Sequence, residues 1–94
     1  MIPQPYEVAL NRAARRDLAE SLPLAVAIGV SDFITGPLGE NPHRVGGQLS
    51  PPLAGVYSAH VMRDWRVLYV IDEEHRAVIV RDIRDRRDAY RAPQ

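Results

Sequence analysis

LAGVYSAHV (Leu53 to Val61), DWRVLYVID (Asp64 to Asp72) and AVIVRDIRDRRDAYR (Ala77 to Arg91) follow one another closely in a 94-residue chain. Each is rich in β-branched and aromatic residues and bounded by turn formers, which predicts three strands. Strands joined by connections this short pair antiparallel, as a meander. The register of the first two can be argued. A three-residue loop of Met62, Arg63 and Asp64 pairs Val61 with Trp65, Ala59 with Val67 and Tyr57 with Tyr69, which makes one continuous apolar face. The other face then sets His60 opposite Arg66 and Ser58 opposite Leu68. A two-residue loop at Arg63 and Asp64 puts Arg66 beside Val61 and His60 beside Val67, mixing the faces, so the longer loop is preferred. Beyond the turn DEEHR (Asp72 to Arg76), AVIVRDI forms the last strand, and RDRRDAYR ends the chain as a short helix or ordered tail. This region carries Arg66, Arg81, Arg84 and Arg86, guanidinium forks of the kind that suit phosphate.

Toward the N-terminus, Tyr6, Val8 and Leu10 alternate with Glu7 and Ala9, the period of a strand with one buried face. Asn11 is a good helix cap, and Ala14, Leu18 and Leu22 recur at intervals of four on one helical face. Pro23 ends that helix, and LAVAIGVSDFI is helical in period until Gly36 and Pro37. The second helix is apolar around most of its surface, which predicts a place between the first helix and a sheet. Gly39 to Pro52, with NPHRVGG and SPP, reads as a loop. The expected architecture is α+β: an N-terminal strand, a helical hairpin, then a three-stranded antiparallel meander, forming a four-stranded antiparallel sheet with the helices on one face. Residues 1–94 make one domain, with no repeat or linker.

All twelve basic residues are arginine, balanced by twelve acids. Residues 1–64 hold five Arg and six acids (−1), residues 65–75 one Arg and three acids (−2), and residues 76–94 six Arg and three acids (+3), so the positive field sits at the C-terminus. The chain is not a uniformly basic nucleic-acid binder. It has no lysine to act as base or point-charge ligand. It also lacks cysteine, which fits a reducing, cytoplasmic setting. MIPQPYEVAL does not resemble a signal peptide, and the longest apolar stretch, Leu24 to Val30, is far below the roughly 20 residues that span a bilayer. His43 and His75 lie in separate loops, and no His, Asp or Glu spacing matches a metal site; neither a metal nor a cofactor is expected.

Two motifs resemble the signatures of the RelE/ParE toxin superfamily. Trp65-Arg66-Val67-Leu68-Tyr69 matches "aromatic, Arg, then apolar residues", and Ile83, Arg84, Asp85, Arg86, Asp88, Ala89 and Tyr90 follow the order of the second. The resemblance covers nearly the whole chain and is strongest over residues 53–90. It implies the RelE-like fold, with Arg66 and Arg86 as catalytic phosphate contacts and Tyr90 as a stacking or orienting group. Asp85 departs from the pattern, which has a basic residue there. Ser58 and His60 occupy strand positions where RelE-type enzymes often carry lysines, leaving His60 as the candidate for proton transfer. Arg63, Arg84 and Ser58 are the candidate RNA contacts. Without the resemblance, Arg84 to Arg91 reads as a solvated charged tail, Tyr90 as a packing residue, and His60 as a surface or structural histidine.

The resemblance further implies a type II toxin that cuts mRNA in the ribosomal A site without a metal. Its partners would be the ribosome, mRNA and a RelB-like antitoxin encoded in the adjacent gene. Two alternatives keep the fold: a ParE-type inhibitor of DNA gyrase, or a catalytically degenerate toxin retained as an antitoxin-binding module.

Overall fold

The computed structural model describes residues 5–50 and 55–85 of the protein. The N-terminal alternation forms strand β1 (Glu7–Leu10), and Asn11 starts helix α1 (Arg12–Arg16) by accepting from Ala14 N at 2.9 Å. This satisfies one of the donors a helix start leaves open. The helix then widens into a π-helical turn, Asp17–Ser21, whose last carbonyl bonds run one residue longer than in an α-helix; the backbone of Leu22 donates to Asp17 O. Helix α2 (Leu24–Thr35) follows Pro23 and stops at Gly36.

Strands β3 (Tyr57–Val61), β4 (Trp65–Asp72) and β5 (Ala77–Asp85) form the antiparallel meander. The hairpin register is the one the apolar pattern requires: Val61 opposite Trp65, Ala59 opposite Val67, Tyr57 opposite Tyr69, and His60 opposite Arg66. Met62 and Arg63 turn the chain at φ 54° and 67°, a left-handed conformation that costs on the order of 1 kcal/mol per non-glycine residue and is maintained by the strands on either side.

Three expectations are corrected. The sheet has five strands, in the order β1, β5, β4, β3 and β2 (Gly47–Gln48), and it is mixed, because β1 runs parallel to β5. A strand of two residues shows no period in sequence, so β2 is concealed within the predicted loop. Strand β1 is edge-paired by a segment some seventy residues away (Glu7 with Ala77, Leu10 with Val80), and its direction follows from where the helices return the chain. Two single helical turns are also unexpected, α3 (Pro37–Glu40), which runs into the start of the predicted loop, and α4 (Pro42–Val45), within it, each opened by a proline, whose fixed φ suits a first helical turn. Finally, α2 is not enclosed on both sides. Val26, Val30 and Ile34 are buried, whereas Leu24 and Ile28 are 77% and 55% exposed. Residues spaced by four share a face, so the apolar surplus of this helix is divided between a core stripe and an open one.

The core lies between the helices and one face of the sheet, built from Ala14, Val30 and Leu38 against Val67, Tyr69, Val78, Val80 and Ile83. Burying each large apolar side chain here contributes roughly 1.5–3 kcal/mol. Among the described residues no helix is long and apolar enough to cross a membrane.

Candidate functional site

Because side chains alternate across a strand, the face of the meander away from the helices receives Ser58 and His60 from β3, Arg66 and Leu68 from β4, and Arg84 from β5. Arg84 reaches this face only through a bulge. Val80 pairs with Tyr69 and Asp82 with Leu68, so Arg81 is an extra residue on β5. Strict alternation from the buried Val78 and Val80 would turn Arg84 into the core; the bulge returns Ile83 there instead, at 4% exposure, and sends Arg84 outward.

The result is a row across three strands, His60 opposite Arg66 and Arg66 opposite Arg84. Two permanently charged guanidiniums as direct cross-strand neighbours repel, a destabilising arrangement unless an anion lies between them. Each is oriented by a neighbour. Arg66 Nη1 donates to Ser58 Oγ at 3.2 Å, diagonally across the pair, and Ser58 is itself nearly buried. Arg84 Nε donates to Asp82 Oδ2 at 2.6 Å, which orients the fork and also offsets part of its charge. His60 is exposed beside them, and Arg63 lies exposed in the hairpin loop just beyond. Arg86 and Tyr90 lie outside the described residues; of the residues expected to contact substrate, the fold brings together Arg66, His60, Arg84 and Ser58.

A second polar cluster, not anticipated from sequence, occupies the helix side near the β4–β5 turn. Glu73 accepts from Tyr6 Oη at 2.9 and 2.7 Å and is bonded to His43 Nε2, while His43 Nδ1 is 3.3 Å from Tyr57 Oη. Gln48 Nε2 donates to Tyr57 Oη at 3.0 Å, and Arg76 covers the ring of Tyr6 at 4.3 Å. His43, with Tyr6 to assist, holds the Glu73 carboxyl below the usual carboxylate range; the same bond to Glu73 pushes the Tyr6 phenol up. Behind them Tyr69 stacks on Tyr57 at 5.5 Å and donates to Pro42 O at 2.6 Å, and burial pushes its phenol up to about 12. These residues come from the segment just before β1, from α4, β2, β3, β4 and the turn, and they fasten the loop region to the sheet. The spacing of thirty residues between His43 and Glu73 carries no sequence signal. Among the described residues no group of three or more His, Cys, Asp or Glu is placed to hold a metal ion.

No family model matches the chain. Over 87 residues, which is 93% of this chain and 88% of the relative, it is 42% identical to the protein named Toxin RelE of Mycobacterium tuberculosis. The chain belongs to the RelE toxin family. Toxin RelG of the same organism is 41% identical over 93% of this chain and 98% of its own length. The RelE-like fold is also shared with a solved structure, the toxin–antitoxin complex RelBE2 of Mycobacterium tuberculosis, at a TM-score of 0.81 and 40% identity over 88% of this chain and 93% of that one. In this RelE-family chain, the open face of the meander is the surface on which the motif residue Arg66 stands.

Proposed function

We propose that this RelE-family chain is the toxin of a type II toxin–antitoxin module and that it acts as an endoribonuclease on mRNA in the ribosomal A site. The observation that carries the reading is the row of His60, Arg66 and Arg84, an arrangement suited to an anion on a protein whose formal net charge is zero.

In the reaction, the 2′-hydroxyl of one nucleotide attacks the adjacent phosphorus. The bond to the 5′-oxygen of the next nucleotide breaks, leaving a 2′,3′-cyclic phosphate and a 5′-hydroxyl end. Arg66, seated by Ser58, holds a non-bridging oxygen of the scissile phosphate as charge develops on it; Arg86 is assigned the same role from the motif. His60 moves the proton, taking it from the 2′-hydroxyl or delivering it to the leaving oxygen. Tyr90 is assigned the platform for an unpaired base. Arg84 and Arg63 contact the RNA backbone.

The antitoxin is proposed as the partner because a matching solved relative is a toxin–antitoxin complex. Leu24, Ile28 and Met62, 77%, 55% and 50% exposed, offer it apolar surface on α2 and the hairpin tip. Glutamate at Leu24 and Ile28 together should loosen co-purification with the product of the adjacent gene; unchanged co-purification places the antitoxin elsewhere.

The deciding experiment expresses the toxin with and without its antitoxin and maps RNA ends in translating and translation-blocked cells. The expected result is new 5′-hydroxyl ends within codons, only in translating cells. If no such ends form and purified toxin instead arrests gyrase supercoiling, the ribonuclease reading fails and the ParE-type reading replaces it.

A further inference from the structure

The bulge on β5 does more than turn Arg84 outward. Between the buried Val80 and Ile83 stand two residues where regular alternation allows one, and both Arg81 and Asp82 therefore lie off the core side. Asp82 is bonded to Arg84. Arg81 is exposed, and among the described residues its side chain makes no hydrogen bond or ion pair. It lies three residues along β5 from Arg84, roughly 10 Å or less at strand rise. That is about one Debye length at physiological salt, so a polyanion lying on the row also feels Arg81. A bulge confines its extra residue between paired neighbours, so the base of this side chain is fixed as those of Arg66 and Arg84 are.

We propose that Arg81 is an RNA-backbone contact outside the cleavage centre, a positioning residue that grips a phosphate other than the scissile one. This rests on the reading of the outer face as an RNA surface and extends it along β5. The phosphate belongs either to the message or to ribosomal RNA, which share the chemistry.

The test compares wild type, Arg81→Ala and Arg81→Lys for binding to a short single-stranded RNA and to mRNA-programmed ribosomes across a salt series, with cleavage followed on the same ribosomes. One lost phosphate contact lowers the slope of log K against log salt by about 0.7–1. Arg81→Ala should show that loss, a several-fold rise in the half-saturating toxin concentration, and an unchanged cleavage rate at saturation. Arg81→Lys, which keeps the charge, should retain the wild-type slope. A change with both ligands assigns the message; a change with ribosomes alone assigns ribosomal RNA. A wild-type slope for Arg81→Ala on both overturns the proposal, as does a loss confined to the saturated rate. If wild type binds with the expected slopes but never cleaves, the ribonuclease reading falls while the Arg81 contact stands. A thermal midpoint equal to that of wild type confirms that the variants are folded.

Discussion

At the helix-side end of the sheet, Glu73 accepts from Tyr6 and pairs with His43, and Tyr69 donates to Pro42 O. On the opposite face Arg66 and Arg84 stand directly across from each other, with His60 next in line. In the first region donors meet acceptors drawn from the segment before β1, α4, β4 and the β4–β5 turn, and the bonds fasten these segments to one another. In the second, cations are set side by side against their mutual repulsion. The first arrangement lowers the energy of the folded chain by itself. In the cationic row the repulsion is offset in part by Asp82, which pairs with Arg84, and a phosphate bound on the row would add to that offset. That difference, beside the motif around Arg66, is what the proposed RNA-binding role of the outer face rests on.

Breaking each region should give opposite signatures. The largest effect is expected from Arg66→Ala, which removes the central fork of the row. Cleavage on programmed ribosomes should fall on the order of 10²- to 10³-fold, the cost of losing one group that binds developing charge, while the urea midpoint does not fall. A matching loss of stability would place Arg66 with the scaffold.

Next comes Gly46→Val, on the scaffold side. A Cβ at this glycine would collide with the hydroxyl of Tyr69 and stand 2.9 Å from Ser58 O, so the neighbours must move. Overpacking of this kind costs typically 1–3 kcal/mol, readable by urea denaturation. Unaltered stability would show that Tyr69 is not held as described.

Tyr69→Phe should lose about 1–2 kcal/mol by deleting a buried hydrogen bond to Pro42 O. It should also change the alkaline limb. The folded phenol titrates at about 12, above its unfolded value of 10.0, so the unfolded chain releases its proton first and stability falls as pH rises from 10.0 toward 12. The phenylalanine variant lacks this component, and an identical limb in both proteins would contradict the assignment.

Asp82→Asn sharpens the comparison from the other side. It releases Arg84 from an exposed ion pair, the kind that contributes about 0–1 kcal/mol, so RNA affinity should rise by up to about fivefold with little change in stability. Weaker RNA binding would mean that Asp82 serves by orienting the fork.

The smallest effect at neutral pH is that of Glu73→Gln. The folded carboxyl of Glu73 is depressed, so its stabilisation is present above the ordinary carboxylate range and is lost as pH falls through the lower folded value. The variant should flatten the acid limb of a stability-against-pH curve; an unchanged limb would remove Glu73 from the scaffold.

The residues themselves were enough for the meander, the hairpin register, the helix cap at Asn11 and the placement of His60 opposite Arg66, because an apolar face with period two tolerates only one pairing. The motif around Arg66 was legible for the same reason: it lies within one continuous strand. Three things needed the folded chain. Strand β2 depends on an edge that β3 offers, the bulge at Arg81 depends on keeping Ile83 in the core beside Val67, and the Glu73 cluster depends on loops distant in sequence meeting at one end of the sheet. Local periodicity encodes which face a side chain takes within an element. Which elements become neighbours, and where a strand must slip by one residue to keep its core contacts, is decided by packing over the whole domain.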